Sequence, residues 1–330
     1  MLSAPVDGAV RRIARCAVRA LHAELALEPK PGLVSFRDNG SHSDMTAATF
    51  VKSLFALRHY FGHMARAGAL GHPFEFLQAL GLGAEERMLS ATGGVNTHRG
   101  AVFALGLLCA AAGRLAARGE VFSAHSLRHS LLGQWGKALR WRAASAARAA
   151  PQSNGQRAAR RFGLRSAGEE AALGFPTLFE VTLPSLQAAL LAGHAPRAAR
   201  VQAFFATMAV LDDTNTAHRG GWEGAQFVKA SAQAFLDAGG VAQADWLTQA
   251  RAIHAECVAR RLSPGGSADV LACACWLQEM QQAAQSGKAG VGPVSGLALG
   301  GVLRKPAKGG AQAAPELVAA SALLASVWAA

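Results

Sequence analysis

Apolar side chains return every three to four positions along most of this chain. Val10, Ile13, Ala17, Val18, Leu21 and Leu25 form one stripe, and Arg11, Arg12, Arg15 and Arg19 stay largely off it, which predicts an amphipathic helix over about 10–27. Glu28-Pro29-Lys30-Pro31-Gly32 ends it, because each proline lacks a donor and pushes its predecessor out of helical geometry. A second helix is expected after Ser43 or Asp44, either of which can cap it, carrying Phe50, Leu54, Leu57, Phe61 and Met64 inward. The same test predicts helices over about 73–90, 97–117, 123–149, 169–193, 196–211, 222–237, 242–260 and 267–285. No stretch alternates polar and apolar with β-branched enrichment, and alanine dominates the periodic segments. The expected fold is all-α, a single bundle-like domain over residues 1–285 with its site at converging helix ends.

Two regions break the pattern. Seven arginines lie among small residues between Arg140 and Arg165, read as a basic connection or a partly frayed helix. A Gly-, Pro- and Lys-rich stretch over 286–315 reads as a linker, followed by a short apolar segment at 316–330.

With 330 residues, 51% of them hydrophobic, the chain can bury a substantial core. Lysine and arginine exceed aspartate and glutamate by 33 − 21 = 12, giving a field that attracts phosphates, nucleic acid or anionic membrane. The five cysteines are odd in number and lack the spacing of a small disulfide framework, and no apolar leader opens the chain. A reduced, cytoplasmic protein is expected. The charge-free runs Gly100–Gly113 and Leu317–Ala330 fall short of the roughly 20 apolar residues that cross a bilayer, so no membrane span is expected.

Four glycine-rich segments at helix ends carry the chemistry. In Gly93–Gly100 (GGVNTHRG) a helix starts near Thr97, and its free N–H groups join His98 and Arg99 in favouring a phosphate. It is neither a Walker loop nor a dinucleotide fingerprint, and a capped core helix is the plainer alternative. Pro29–Met45 gathers Lys30, Arg37, Asp38, His42 and Asp44; an EF-hand fails there, because Ser43 and Thr49 stand where Gly and Glu are needed. Leu211–Gly221 supplies Asp212, Asp213, Asn215, His218 and Arg219, and Ser263–Val270 supplies Ser267 and Asp269. Together the segments compose a nucleotide-triphosphate site, with carboxylates for Mg²⁺ and cations and helix N-termini for phosphates. No aromatic stacking motif is interleaved with the 140–165 arginines and the chain has one Tyr, which argues against nucleic acid and for a solvated face or anion steering.

PKPGLVSFRDNGSHSDM, GGVNTHRGAVF, EAALGFPTLFEVTLPSL, LDDTNTAHRGG and SPGGSADVLA, in this order, resemble the triphosphoribosyl-dephospho-CoA synthase family over about residues 10–280. The resemblance implies an all-α enzyme that joins ATP and 3′-dephospho-CoA and releases adenine. Its product is the prosthetic-group precursor of an acyl carrier subunit, and the transferase that loads the carrier is an implied partner. Ser35 and Asp38-Asn39-Gly40-Ser41-His42 look more like the malonate decarboxylase branch than the citrate lyase branch. The sequence departs from the family at Arg99, often Lys there, which exchanges a point donor for a fork.

Mapped onto this chain, the resemblance implies Lys30, His42, Asn96, His98, Arg99, Asn215 and Arg219 on substrate. It implies Asp44, Asp213 and Asp269 on Mg²⁺, and Asp38, Glu170 and Asp213 as catalytic groups. A Mg²⁺-dependent nucleotide glycohydrolase and a basic RNA-binding protein are the competing readings. Self-association into a homo-oligomer is left open.

Overall fold

The computed structural model describes residues 2–289; the segments read as linker and tail, from residue 290 on, lie outside them. The described residues form helices and contain no strand, as the periodicity predicts. The helices are α1 (Ala4–Leu25), α2 (Ala47–Leu57), α3 (Tyr60–Ala69), α4 (Phe74–Ala91), α5 (Arg99–Ala117), α6 (Ala124–Arg148) and α7 (Asn154–Phe162). They continue with α8 (Ala167–Ala172), α9 (Leu183–Leu191), α10 (Pro196–Val210), α11 (Thr214–Asp237), α12 (Trp246–Ala259) and α13 (Gly265–Ala289). The backbone of α13 therefore runs four residues past the expected domain limit at 285.

α5 is the axis of the core. It packs against α1, α3, α4, α6 and α13, and nearly every side chain from Ala101 to Leu115 is buried. Among the described residues it alone is long and apolar enough to cross a bilayer, yet 78% of its most apolar stretch is buried inside the protein, as in a core helix. All five cysteines are buried and free, and act as small apolar residues.

Local chemistry moves several expected boundaries. α2 is capped by Thr46, not by Ser43 or Asp44, because Thr49 stands three residues on and completes a capping box. The helix expected to run through Met64 breaks at Arg58-His59 into α2 and α3. The segment 169–193 is not one helix. Gly174 and Phe175 take left-handed backbone (φ 75° and 53°) before Pro176, and a π-helical turn, Thr177–Thr182, intervenes before α9. α11 starts at Thr214, earlier than expected, and is kinked where Gly221 leaves helical geometry (φ 65°).

The arginine stretch is ordered. α6 continues to Arg148, and Ser153 with Gln156 caps the short α7. Arg160 donates to the carbonyls of Ala147 and Ala149, which α6 leaves open at its C-terminus. α7 docks on α11 through a small satellite cluster, Ala158, Ala217 and Ala225 with Phe162 and Leu164.

Candidate functional site

A cavity of about 700 Å³ opens where the N-terminal turns of α5, α7, α11 and α13 meet. Asn96–Gly100, Gln152–Arg157, Thr214–Asn215 and Ser263–Gly266 form its walls. Each turn ends in N–H groups without intrahelical partners and carries the positive end of a helix dipole, so the walls favour anions. α1 and the 26–46 loop close the floor with Leu21, Glu24, Lys30, Leu33 and Val34.

Caps and glycines let these ends converge. Asn96 Oδ1 accepts the Arg99 N–H at 3.1 Å. Asp213 caps α11 by accepting the N–H groups of Asn215 and Thr216. A Cβ at Gly155 would lie 3.0 Å from Thr214 Oγ1, and one at Gly265 would lie 2.9 Å from Asn215 Nδ2. At Gly100 a Cβ would fall 2.0 Å from Asp269 Oδ2, so this glycine admits a carboxylate to the first turn of α5. The 26–46 loop is stapled to the α12–α13 turn: Ser41 Oγ donates to Leu262 O, and Gly32 lies against the same carbonyl.

The floor is charged and dry. Lys30 and Glu24, both buried, form an ion pair. Asp269 accepts the Ala101 N–H; burial first, and then the charges of Glu24 and Asp213, hold its carboxyl well above the usual range. A cation arriving here would relieve that crowding.

Two histidines have fixed roles. Arg219 Nη2 lies 3.0 Å from His42 Nδ1, and His42 Nε2 shares a 2.8 Å hydrogen bond with Ser263 Oγ. Asp44 Oδ1 lies 3.5 Å from the same Nδ1, so a guanidinium and a carboxylate flank one ring nitrogen while Ser263 holds the other. His98, 3% exposed, shares a 2.7 Å hydrogen bond between Nδ1 and Ser53 Oγ, and its Nε2 has no partner. Burial, then the charge of Lys30, lowers its pKa to about 3, so His98 is neutral and is not a cation for phosphate. Arg99 pairs with buried Glu85 at 3.0 Å. Burial outweighs the pull of Arg99 and pushes Glu85 up to about 7.

With this geometry in view, the chain matches the family model described as ATP:dephospho-CoA triphosphoribosyl transferase over residues 10–288. The chain belongs to that family. A 2-(5''-triphosphoribosyl)-3'-dephosphocoenzyme-A synthase of Pectobacterium atrosepticum is 41% identical over 264 residues, 78% of this chain and 85% of the relative. A probable synthase of that name from Stutzerimonas stutzeri is 39% identical over 294 residues, 87% and 97% of the two chains. One from Klebsiella pneumoniae is 39% identical over 265 residues, 78% and 87%. No solved structure matches.

In this chain the cavity unites Lys30, His42, Asp44, Asn96, His98, Arg99, Asn215, Arg219 and Asp269. Three expected residues do not line it. Asp38 is exposed, accepts the Gly40 N–H, and lies 3.3 Å from His254 Nε2. Glu170, on α8, is buried and held by Arg165 and the Thr177 hydroxyl, each at 3.0 Å. Asp213 is filled: Oδ1 accepts two N–H groups, and Oδ2 accepts the Ser267 N–H at 2.8 Å and hydroxyl at 3.1 Å. The expected three-aspartate magnesium set is therefore not assembled, and among the described residues no group of three His, Cys, Asp or Glu side chains could hold a metal.

Sequence reasoning missed Glu24, Glu85, Ser53, Ser263 and the Gln152–Arg157 turn. Signals existed for two of them: Glu24 is an acid on the buried stripe of α1, and Ser153-x-x-Gln156 is a capping box that announces α7.

Proposed function

We propose that this protein transfers the 5-triphosphoribosyl group of ATP to the ribose 2′-hydroxyl of 3′-dephospho-CoA and releases adenine. The observation that carries this reading is the cavity itself, with four helix N-termini arranged over a buried acidic floor. The N-termini of α7, α11 and α13, with Arg219 and Arg157, grip the triphosphate, which stays intact and serves as a handle. As the bond from the anomeric carbon to adenine lengthens, positive charge develops on the ribose, and Asp269 beside Glu24 faces it. The electron pair leaves with adenine, which takes up a proton while the acceptor hydroxyl loses one.

Magnesium belongs to this reading as a passenger. With Asp213 filled, the cavity offers a cation Asp269 or Asp44 singly, and Mg²⁺ is commonly held by one or two carboxylates plus substrate phosphates. MgATP is then the substrate, and the protein orients it. The malonate decarboxylase branch is the finer proposal, supported by Ser35, buried in the loop with its Oγ accepting the Arg37 N–H, and by Asp38–His42. The transferase that loads the acyl carrier protein would take the product.

Chromatography of reactions with MgATP, with and without 3′-dephospho-CoA, tests the proposal. Adenine should appear only when the acceptor is present. Adenine released without acceptor would make the protein a glycohydrolase, and no adenine at saturating levels of both substrates would end the reading.

A further inference from the structure

The cavity is not uniform. At the α7, α11 and α13 end its wall is glycine, hydroxyl and amide, with Arg157 and Arg219 at hand. Its apolar lining includes Leu33, Val34, Met45 and Phe50, and at the α2 and α5 end Phe50 meets the His98 imidazole edge-on with ring centroids 4.9 Å apart. Among the buried polar atoms without a partner at this end is His98 Nε2. A buried polar group without a partner is destabilising, and a protein keeps one where something else completes it.

We propose that Phe50, Ser53 and His98 hold the nucleobase of the donor nucleotide, with His98 Nε2 as the hydrogen-bonding partner of a heteroatom on the base edge. The inference rests on the nucleotide reading above and fixes which way round the nucleotide lies. A phosphate at this end would lose its water to apolar walls and meet a neutral imidazole. The cations at this end are already committed, Lys30 to Glu24 and Arg99 to Glu85. A purine asks for the opposite: apolar faces and one or two fixed polar groups at its edge. Ser53, fully buried on α2, fixes the ring through Nδ1 and is a positioning residue. The polyphosphate then extends toward α7, α11 and α13.

Calorimetric titration of the full chain with adenosine, and separately with inorganic tripolyphosphate, tests the orientation. His98→Ala should weaken adenosine at least ten-fold and leave tripolyphosphate within two-fold, and Arg157→Ala should do the reverse. His98→Gln, which can place an amide near the Nε2 position, should recover part of the adenosine affinity. If the variants do not fold, the unsubstituted protein labelled with ¹⁵N-histidine decides: adenosine should shift the His98 Nε2 resonance and tripolyphosphate should not. A shift by tripolyphosphate alone, equal losses for both ligands, or no adenosine binding at millimolar concentration would overturn the proposal. An enzyme that binds both probes as expected yet releases no adenine would refute the transfer reaction and leave the orientation standing.

Discussion

The two ends of α5 are built to opposite rules. Along its body, glycines let another helix come close: a Cβ at Gly113 would fall 1.9 Å from the Ala65 carbonyl, and one at Gly68 of α3 would fall 1.8 Å from Ala110 O. There, among the described residues, no buried side-chain nitrogen or oxygen lacks a partner, and the Tyr60 hydroxyl donates to Val102 O at 2.9 Å. At the N-terminal turn Thr97 Oγ1 and His98 Nε2 are buried and unpartnered, Arg99 Nε is paired by charge without a hydrogen bond, and Glu85 Oε1 opposite is unpartnered too. A chain that packs one end of a helix to contact distance did not leave the other end unsatisfied for lack of means. The unsatisfied end faces the cavity, where a ligand completes it.

The largest expected effect on this contrast comes from the floor. Lys30→Met leaves Glu24 buried and alone and should cost about 3–5 kcal/mol in chemical denaturation. The double variant Glu24→Leu, Lys30→Met should regain most of that stability and still fail to bind MgATP. Recovery of both together would mean that the pair only packs; a loss below about 1 kcal/mol for Lys30→Met would mean that it is not an isolated buried pair.

The fold was legible because helix periodicity survives on every element that packs against the core. The cavity was legible in part, since Gly93–Gly100, Pro29–Met45, Leu211–Gly221 and Ser263–Val270 do line it. What one chain cannot show is which oxygen a carboxylate spends, and on what. Asp213 reads as a metal ligand in LDDTNTAHRGG, but Ser267, 54 residues away, fills its second oxygen. His98 reads as a cation until Ser53, Phe50 and Lys30 surround it. Glu85 looked like any helical acid, because its partner Arg99 lies on another helix.

Titration sharpens the comparison next, since two groups of the unsatisfied end change charge in opposite senses. Burial raises Glu85 from 4.5 to about 7, so the folded chain holds a proton that the unfolded chain has lost. Its contribution is complete below pH 4.5 and fades as pH rises through 7, by about 1.4 kcal/mol per unit. His98, lowered from 6.5 to about 3, does the reverse: the unfolded chain takes the proton first, and stability is lost as pH falls from 6.5 toward 3. Between 4.5 and 6.5 the slopes of these two groups oppose each other. Glu85→Gln should uncover a rise in stability with pH across that window, and His98→Asn a fall. Denaturation midpoints at five pH values would show both, and identical slopes in the two variants would contradict the assignment.

The smallest effect is the cleanest division between the two ends. Alanine at Gly113 and alanine at Gly100 each put a methyl group near 2 Å from an oxygen, at 1.9 Å and 2.0 Å. At Gly113 the oxygen is the Ala65 carbonyl, which moves only if α3 and α5 part. The cost should be about 1–3 kcal/mol of overpacking, offset in part by roughly 1 kcal/mol of helix propensity. At Gly100 the oxygen belongs to the Asp269 side chain, which can rotate away, so denaturation should register little. The displaced carboxylate, however, no longer accepts the Ala101 N–H or faces the ribose. Gly113→Ala should therefore unfold earlier and keep its adenine release per folded molecule, while Gly100→Ala should unfold with the parent and lose most of its turnover at unchanged tripolyphosphate affinity. If both glycines changed stability and turnover in the same proportion, the helix would have one function along its length and the division drawn between its ends would be wrong.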